Sequence, residues 1–105
     1  MVHYKFSGQL YDLIIKAEKG FPDDIDFIMQ NLNSESTFAM TRYVDFSLGL
    51  VTNEMGIERI EYYLFNGSQI QRNYASLFFN RRGDWEIVKK AFLSGLIDET
   101  QAFAR

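Results

Sequence analysis

The sequence predicts an all-α fold, and three observations carry that prediction. Three segments are each bracketed by glycines: Gly8 to Gly20, Gly56 to Gly67, and Gly83 to Gly95. Counted back from the closing glycine, offsets ten, seven and three are apolar every time: Leu10, Leu13 and Ala17; Ile57, Ile60 and Leu64; Trp85, Val88 and Phe92. Steps of three and four lie on one face of an α-helix, so each segment is expected to bury that stripe and show its Lys, Glu and Asp to solvent. Finally, no Asn-Gly or Asp-Gly pair splits two alternating apolar runs, so β-hairpins have no signal.

The elements follow in order. A first helix is expected over about 8–18, closed by Gly20 in the left-handed conformation that costs other residues a Cβ clash. Phe21-Pro22-Asp23-Asp24 opens a second helix, 22–32, with proline near its first position and acids in its first turn. A polar turn, Asn33 to Ser36, leads to a third helix over 37–53. There Phe38, Tyr43, Phe46 and Leu50, with Ala39 and Val51, suit a helix better than a strand at Tyr43–Val51. The fourth, 57–66, stops at Asn66-Gly67. Ser68 with Gln71 matches a capping box and opens a helix over 69–81; another covers 84–94; Asp98 with Gln101, the aspartate variant, opens a short helix from about 98. The short connections are expected to fold neighbours into antiparallel hairpins, stacked as a short α-solenoid of six to seven helices in one domain, 1–105.

Composition narrows the function. The 105 residues are 47% hydrophobic and 24% charged, with a formal net charge of −3, which describes a folded domain and not a disordered chain. No run approaches the roughly 18 apolar residues of a membrane span, and the first residues lack the apolar core of a signal peptide, so a soluble, cytoplasmic protein is expected. With no cysteine there is no disulfide, thiolate metal site or thiol nucleophile. The only histidine, His3, would have to serve alone as zinc ligand or triad base. No catalytic residue, metal ligand or cofactor-binding residue is therefore assigned, and no cofactor is expected. Residues 1–56 hold four Lys/Arg against eight Asp/Glu, and residues 57–105 seven against six; neither half has the charge of a duplex-binding module.

At 74–98 the chain resembles an ankyrin repeat. Gly83 sits in the inter-helix turn, Glu86-Ile87-Val88-Lys89 opens the outer helix, and Leu93-Ser94-Gly95 closes it; residues 56–67 show the same outer-helix pattern. The Thr-Pro-Leu-His motif is replaced by Tyr74-Ala75-Ser76-Leu77, and Phe79 and Asn80 stand where ankyrin repeats prefer small residues. Gly67 to Gly95 is 28 residues, shorter than the ankyrin period of about 33. The pattern is similar to a divergent ankyrin-like, or HEAT-like, helical repeat without its β-turn fingers. That resemblance implies protein–protein binding without a cofactor, by analogy of fold.

Aromatic residues make up 16% of the chain, more than the buried stripes can hold. Ile57, Ile60 and Leu64 already form a stripe, so at least one of Tyr62 and Phe65 is expected on the flank, and the same holds for Phe78 and Phe79. Trp85 and Phe92 are expected in the stripe. Apolar Ala102 and Phe103 end a short helix without a polar cap, which suggests pairing there with a second copy or a partner. The expected partner-binding residues are thus Tyr62, Phe65, Phe78, Phe79 and Phe103, with a homodimer through the C-terminal helix as one form of pairing. The alternative is a nucleic-acid-associated accessory protein using Arg72, Arg81, Arg82, Lys89 and Lys90; the net negative charge disfavours it. Asp23, Asp24 and Asp26 lack the spacing of a calcium loop and read as first-turn acids. Glu58, Glu61 and Glu86 read as surface charge and not as an acid–base pair.

Overall fold

The computed structural model describes residues 8–105, and the fold is all-α. Seven helices lie among the described residues: α1 (Gly8–Lys19), α2 (Pro22–Met29), α3 (Phe38–Leu48), α4 (Glu54–Asn66), α5 (Gln69–Arg82), α6 (Trp85–Leu93) and α7 (Glu99–Phe103). No strand occurs among these residues, and no helix is long and apolar enough to cross a membrane. His3 lies outside the described residues.

Capping chemistry places most boundaries where the sequence puts them. The Phe21 N–H donates to Asp24 Oδ2 at 3.1 Å, with Pro22 opening α2. Ser68 and Gln71 exchange bonds across the first turn of α5, at 3.3 and 2.9 Å. Asp98 and Gln101 do the same for α7, at 2.8 and 2.9 Å. Each box satisfies two main-chain donors that a helix start leaves without partners. Gly83, at φ 82°, ends α5 in the left-handed conformation, and the Asp84 N–H reaches back to the Phe79 carbonyl. Gly67 departs from expectation, because its backbone is not left-handed. It is needed for space: a Cβ there would lie 2.7 Å from the Tyr63 carbonyl oxygen and 2.9 Å from Gln71 Cβ.

The third helix is shorter than 37–53 and presents a different face. It stops at Leu48 and buries Val44, Ser47 and Leu48. Phe38 is 76% exposed, and Phe46 and Leu50 are exposed too. Val44, Ser47 and Leu48 form the alternative register of three and four, and all are buried, as is Val51 beyond the end of the helix. Ser47 belongs to that face because its hydroxyl donates to the Val44 carbonyl, which removes the cost of burying it.

The chain divides into two compact units, with the division between Arg59 and Ile60, inside α4. In the first, α1 packs against both α2 and α3. Its core is Leu13, Ile14 and Ala17 with Ile25, Ile28, Met29, Val44 and Leu48. The turn after α1 meets the start of α4 through backbone. Asn53 Nδ2 donates to the Lys19 carbonyl at 3.2 Å while its Oδ1 accepts from the Met55 N–H at 2.9 Å. A Cβ on Gly56 would fall on the Gly20 carbonyl. Arg59 closes the same region, with Nε and Nη2 on the two Asp26 oxygens at 2.7 and 3.3 Å.

In the second unit α5 packs against both α6 and α7, which also touch each other. A helix covered on two sides buries a wide arc, and this corrects two expectations. Phe78 and Phe79 are both in the core, edge-to-face at 5.1 Å, so neither projects from a flank. Trp85 and Phe92 are both exposed, and Ala91 takes the buried place beside Val88.

Gly56→Ala is expected to destabilise the protein by about 1–3 kcal/mol in urea denaturation, because the clash is with rigid backbone and outweighs the better helix propensity of alanine.

Candidate functional site

A groove of about 430 Å³ opens in the second unit, between α6 and α7. Its floor begins with Asn80, the last fully buried residue of α5, which is 2% exposed. Asn80 Nδ2 donates to two carbonyls of α7, Gln101 at 3.2 Å and Ala102 at 3.0 Å. Its main-chain oxygen accepts from the Gly83 N–H at 3.0 Å and from Trp85 Nε1 at 3.3 Å. One residue thus fixes the end of α5, the start of α6 and the backbone of α7. Its Oδ1 is buried and has no donor among the described residues.

The walls are apolar. Trp85, Phe92 and Leu93 come from α6, and Phe103 from α7. Trp85 is 57% exposed, Leu93 72% and Phe103 68%, so the groove and its lips form one apolar surface. The Arg105 guanidinium lies 5.1 Å from the centre of the Trp85 ring, a cation–π distance. Lys89 and Glu86 complete the polar edge. The volume falls within the roughly 300–1,000 Å³ of ligand pockets, and the apolar lining with a few polar groups is of the same type.

Of the five expected partner-binding residues, only Phe103 lines this groove. Tyr62 is exposed on α4, with its ring edge-to-face against Tyr63 at 5.5 Å. Phe65 is half-buried, with Lys90 Nζ 5.8 Å from its ring centre. Phe78 and Phe79 are core residues. The groove residues missed include Asn80, Trp85, Phe92, Leu93 and Arg105. Leu93 carried a usable signal, since it lies off the expected stripe and is apolar with no assigned place in the core.

The basic residues differ in how they are engaged. Arg72 is half-buried, with Nε donating to the Leu96 carbonyl at 2.7 Å and Nη1 to the Gly67 carbonyl at 2.8 Å. Arg82 pairs with Asp84 at 2.8 Å and lies over the Phe78 ring. Arg81, Lys89 and Lys90 are exposed. The acids are similarly dispersed. Asp24 caps α2 and lies 3.9 Å from Lys16 Nζ, Asp26 pairs with Arg59, and Asp23 is exposed. No group of three metal-binding side chains occurs among the described residues. Glu58, Glu61 and Glu86 are exposed.

Comparison with family models, curated proteins and solved structures gave no match.

Asn80→Ala is expected to cost about 1–3 kcal/mol, and amide exchange in α7 should accelerate more than in α1, as read by hydrogen–deuterium exchange. Arg72→Ala is expected to destabilise by a similar amount, about 1–3 kcal/mol, while Lys89→Ala leaves the thermal midpoint within error.

Proposed function

We propose that the chain is a non-enzymatic protein–protein interaction module on a small helical scaffold, and that the α6–α7 groove is its docking surface. One observation carries this reading: Trp85, Phe92, Leu93 and Phe103 present a continuous apolar surface around a concave floor. Tryptophan and other aromatics dominate interface hot spots, where a pocket lets a partner desolvate them fully. Holding such side chains in water is unfavourable for the isolated chain, and binding removes that cost. The helix–Gly83–helix arrangement of α5 and α6 supports the ankyrin-like or HEAT-like reading, in which function is binding and no cofactor is used. A cytoplasmic location is part of the same proposal.

A nucleic-acid role draws less support. A phosphate-tracking surface needs cations that converge on solvent, whereas Arg72 is engaged by two carbonyls and Arg82 by Asp84.

The test is sedimentation and cross-linking capture of the whole protein, alone and in extract of its source cells, beside a Leu93→Ser/Phe103→Ser variant. Both positions are exposed, so the variant should keep the wild-type thermal midpoint within a few degrees. A discrete complex formed by the wild type and reduced at least about tenfold in the variant is expected, the scale of one hot-spot loss. Equal capture by both proteins would sink the reading.

A further inference from the structure

We infer that the outer face of α3 is a second interaction surface, separate from the α6–α7 groove, and that it binds a second copy of this chain. The two α3 helices pair antiparallel about a two-fold axis level with residue 44.

Helical spacing sets the face. From Phe38 to Leu50 the exposed residues are Phe38, Ala39, Arg42, Phe46, Gly49 and Leu50. At 100° per residue they fall within one arc of about 120°. All but Arg42 are apolar or lack a side chain, and no acid lies among them. The opposite side of α3 buries Val44, Ser47 and Leu48 in the first unit. A helix apolar on both sides is the pattern of one covered on both sides, whereas a face left to water is ordinarily charged. Phe38 and Phe46, 76% and 49% exposed, gain most from such a cover.

Gly49 leaves room for the cover. Its backbone is right-handed, φ −62° and ψ −14°, which any residue adopts. A Cβ there would meet only carbonyl oxygens of its own turn, Phe46 at 3.3 Å and Asp45 at 3.9 Å. Neither conformation nor a neighbour in the fold calls for glycine, which is a poorer helix residue than alanine. What glycine provides here is a gap in the outer face.

A copy of the same face fits that gap. With the axis at residue 44, residues on the same edge of the arc meet at matching levels. Phe38 then lies over Gly49 of the second copy, and Leu50 lies over its Ala39, so each large side chain meets a small residue. Arg42 meets the second copy's Phe46 ring, a cation–π contact. In its own chain the Arg42 guanidinium is already 5.6 Å from the centre of the Phe38 ring. Half-buried Asp45 flanks the arc at the level of the second copy's Arg42, so opposite charges face each other across the pair. The two Arg42 residues are displaced from each other by about 6 Å along the axis. An anionic lipid surface fits less well, because residues 1–56 carry eight acids against four Lys/Arg.

Size sets the strength. The two phenylalanines offer about 250 Å² per copy, taking about 200 Å² for a whole side chain. With the other four residues the pairing covers about 1,000 Å² over both copies, at the low end of specific interfaces.

The test is sedimentation equilibrium of the whole protein over a wide concentration series, with Gly49→Leu and Leu93→Ser/Phe103→Ser beside the wild type. The wild type is expected to show a monomer–dimer equilibrium with a dissociation constant of about 10–100 µM. Gly49→Leu fills the gap and should weaken the dimer at least about tenfold, the scale of one hot-spot loss. Its thermal midpoint at low concentration should be unchanged or raised, because leucine is the better helix residue. Leu93→Ser/Phe103→Ser should dimerise as the wild type does. The chain has no cysteine, so introduced thiols report cleanly. An oxidised equimolar mixture of Ala39→Cys and Leu50→Cys chains should cross-link mainly between unlike chains.

A wild type that stays monomeric to several times the expected dissociation constant overturns the proposal. So does a Gly49→Leu variant that dimerises with equal affinity. A dimer abolished by Leu93→Ser/Phe103→Ser assigns pairing to the groove and overturns it as well. Cross-linking as strong within like chains as between unlike ones overturns the antiparallel arrangement. Flotation of a monomeric wild type with phosphatidylserine vesicles assigns the face to lipid and sinks the second copy. If the wild type is monomeric while the groove variant loses its partner in extract, the α3 pairing is wrong and the docking role stands.

Discussion

The second unit depends on the side chain of Asn80. An asparagine buried to 2% exposure near the end of a helix is costly unless its polar atoms are used. Here the amide nitrogen holds α7 by two of its carbonyls, and the main-chain oxygen holds the Gly83 turn and the indole of Trp85. A five-residue helix has too little apolar surface and too few internal bonds to stay folded alone. Its attachment to α5 through Asn80 supplies what its length does not, and that attachment is also what gives the groove two sides. Arg72 performs the corresponding task at the other end of α5, joining the loop before α7 to the turn before α5.

The first unit is joined through backbone proximity and not through a buried amide. Gly56 lies so close to the Gly20 carbonyl that it tolerates no side chain, and a Cβ on the left-handed Gly20 would lie 2.9 Å from Asn53 Cβ. Asn53 spans the contact while capping α4. Close backbone approach is unforgiving, since a carbonyl cannot change rotamer to make room. The bidentate Arg59–Asp26 pair adds direction to this contact. Both groups are partly exposed, so screening by water limits what that pair contributes.

Helix identities and capping were legible in the sequence because they rest on local chemistry. Pro22, Ser68 with Gln71, and Asp98 with Gln101 each act within four residues, and each acts where expected. Faces were less legible, because a face depends on what packs against it. In α3 two registers of apolar residues compete, and Ser47 disguised the buried one until its bond to Val44 was visible. In α5 the aromatic excess at Phe78 and Phe79 is a core requirement, since α6 and α7 cover that helix from different sides. The expected site suffered most. Phe78 and Phe79, assigned to a partner by surplus, went to the core while Tyr62 stayed exposed. Trp85 and Phe92, assigned to the core by alignment, went to the surface, while Leu13, Ala17, Ile60, Leu64 and Val88 are buried as expected.

Helical geometry explains why that alignment failed in α6 and how the failure makes a groove. Taking Val88 as the centre of the stripe, Trp85 and Phe92 lie about 60° and 40° to one side at 100° per residue. Ala91 lies about 60° to the other side. A stripe can be turned either way, and the smaller residue decides. A methyl group at position 91 allows the helix to be buried there without a cavity or a clash, whereas an indole three residues before Val88 would have to displace packed neighbours. Burying Ala91 swings Trp85 and Phe92 outward together, onto the side where Phe103 of α7 stands. The large side chains left at the surface are therefore adjacent as a consequence of how α6 packs, and the concavity between them is the remaining space between two helices held by one asparagine.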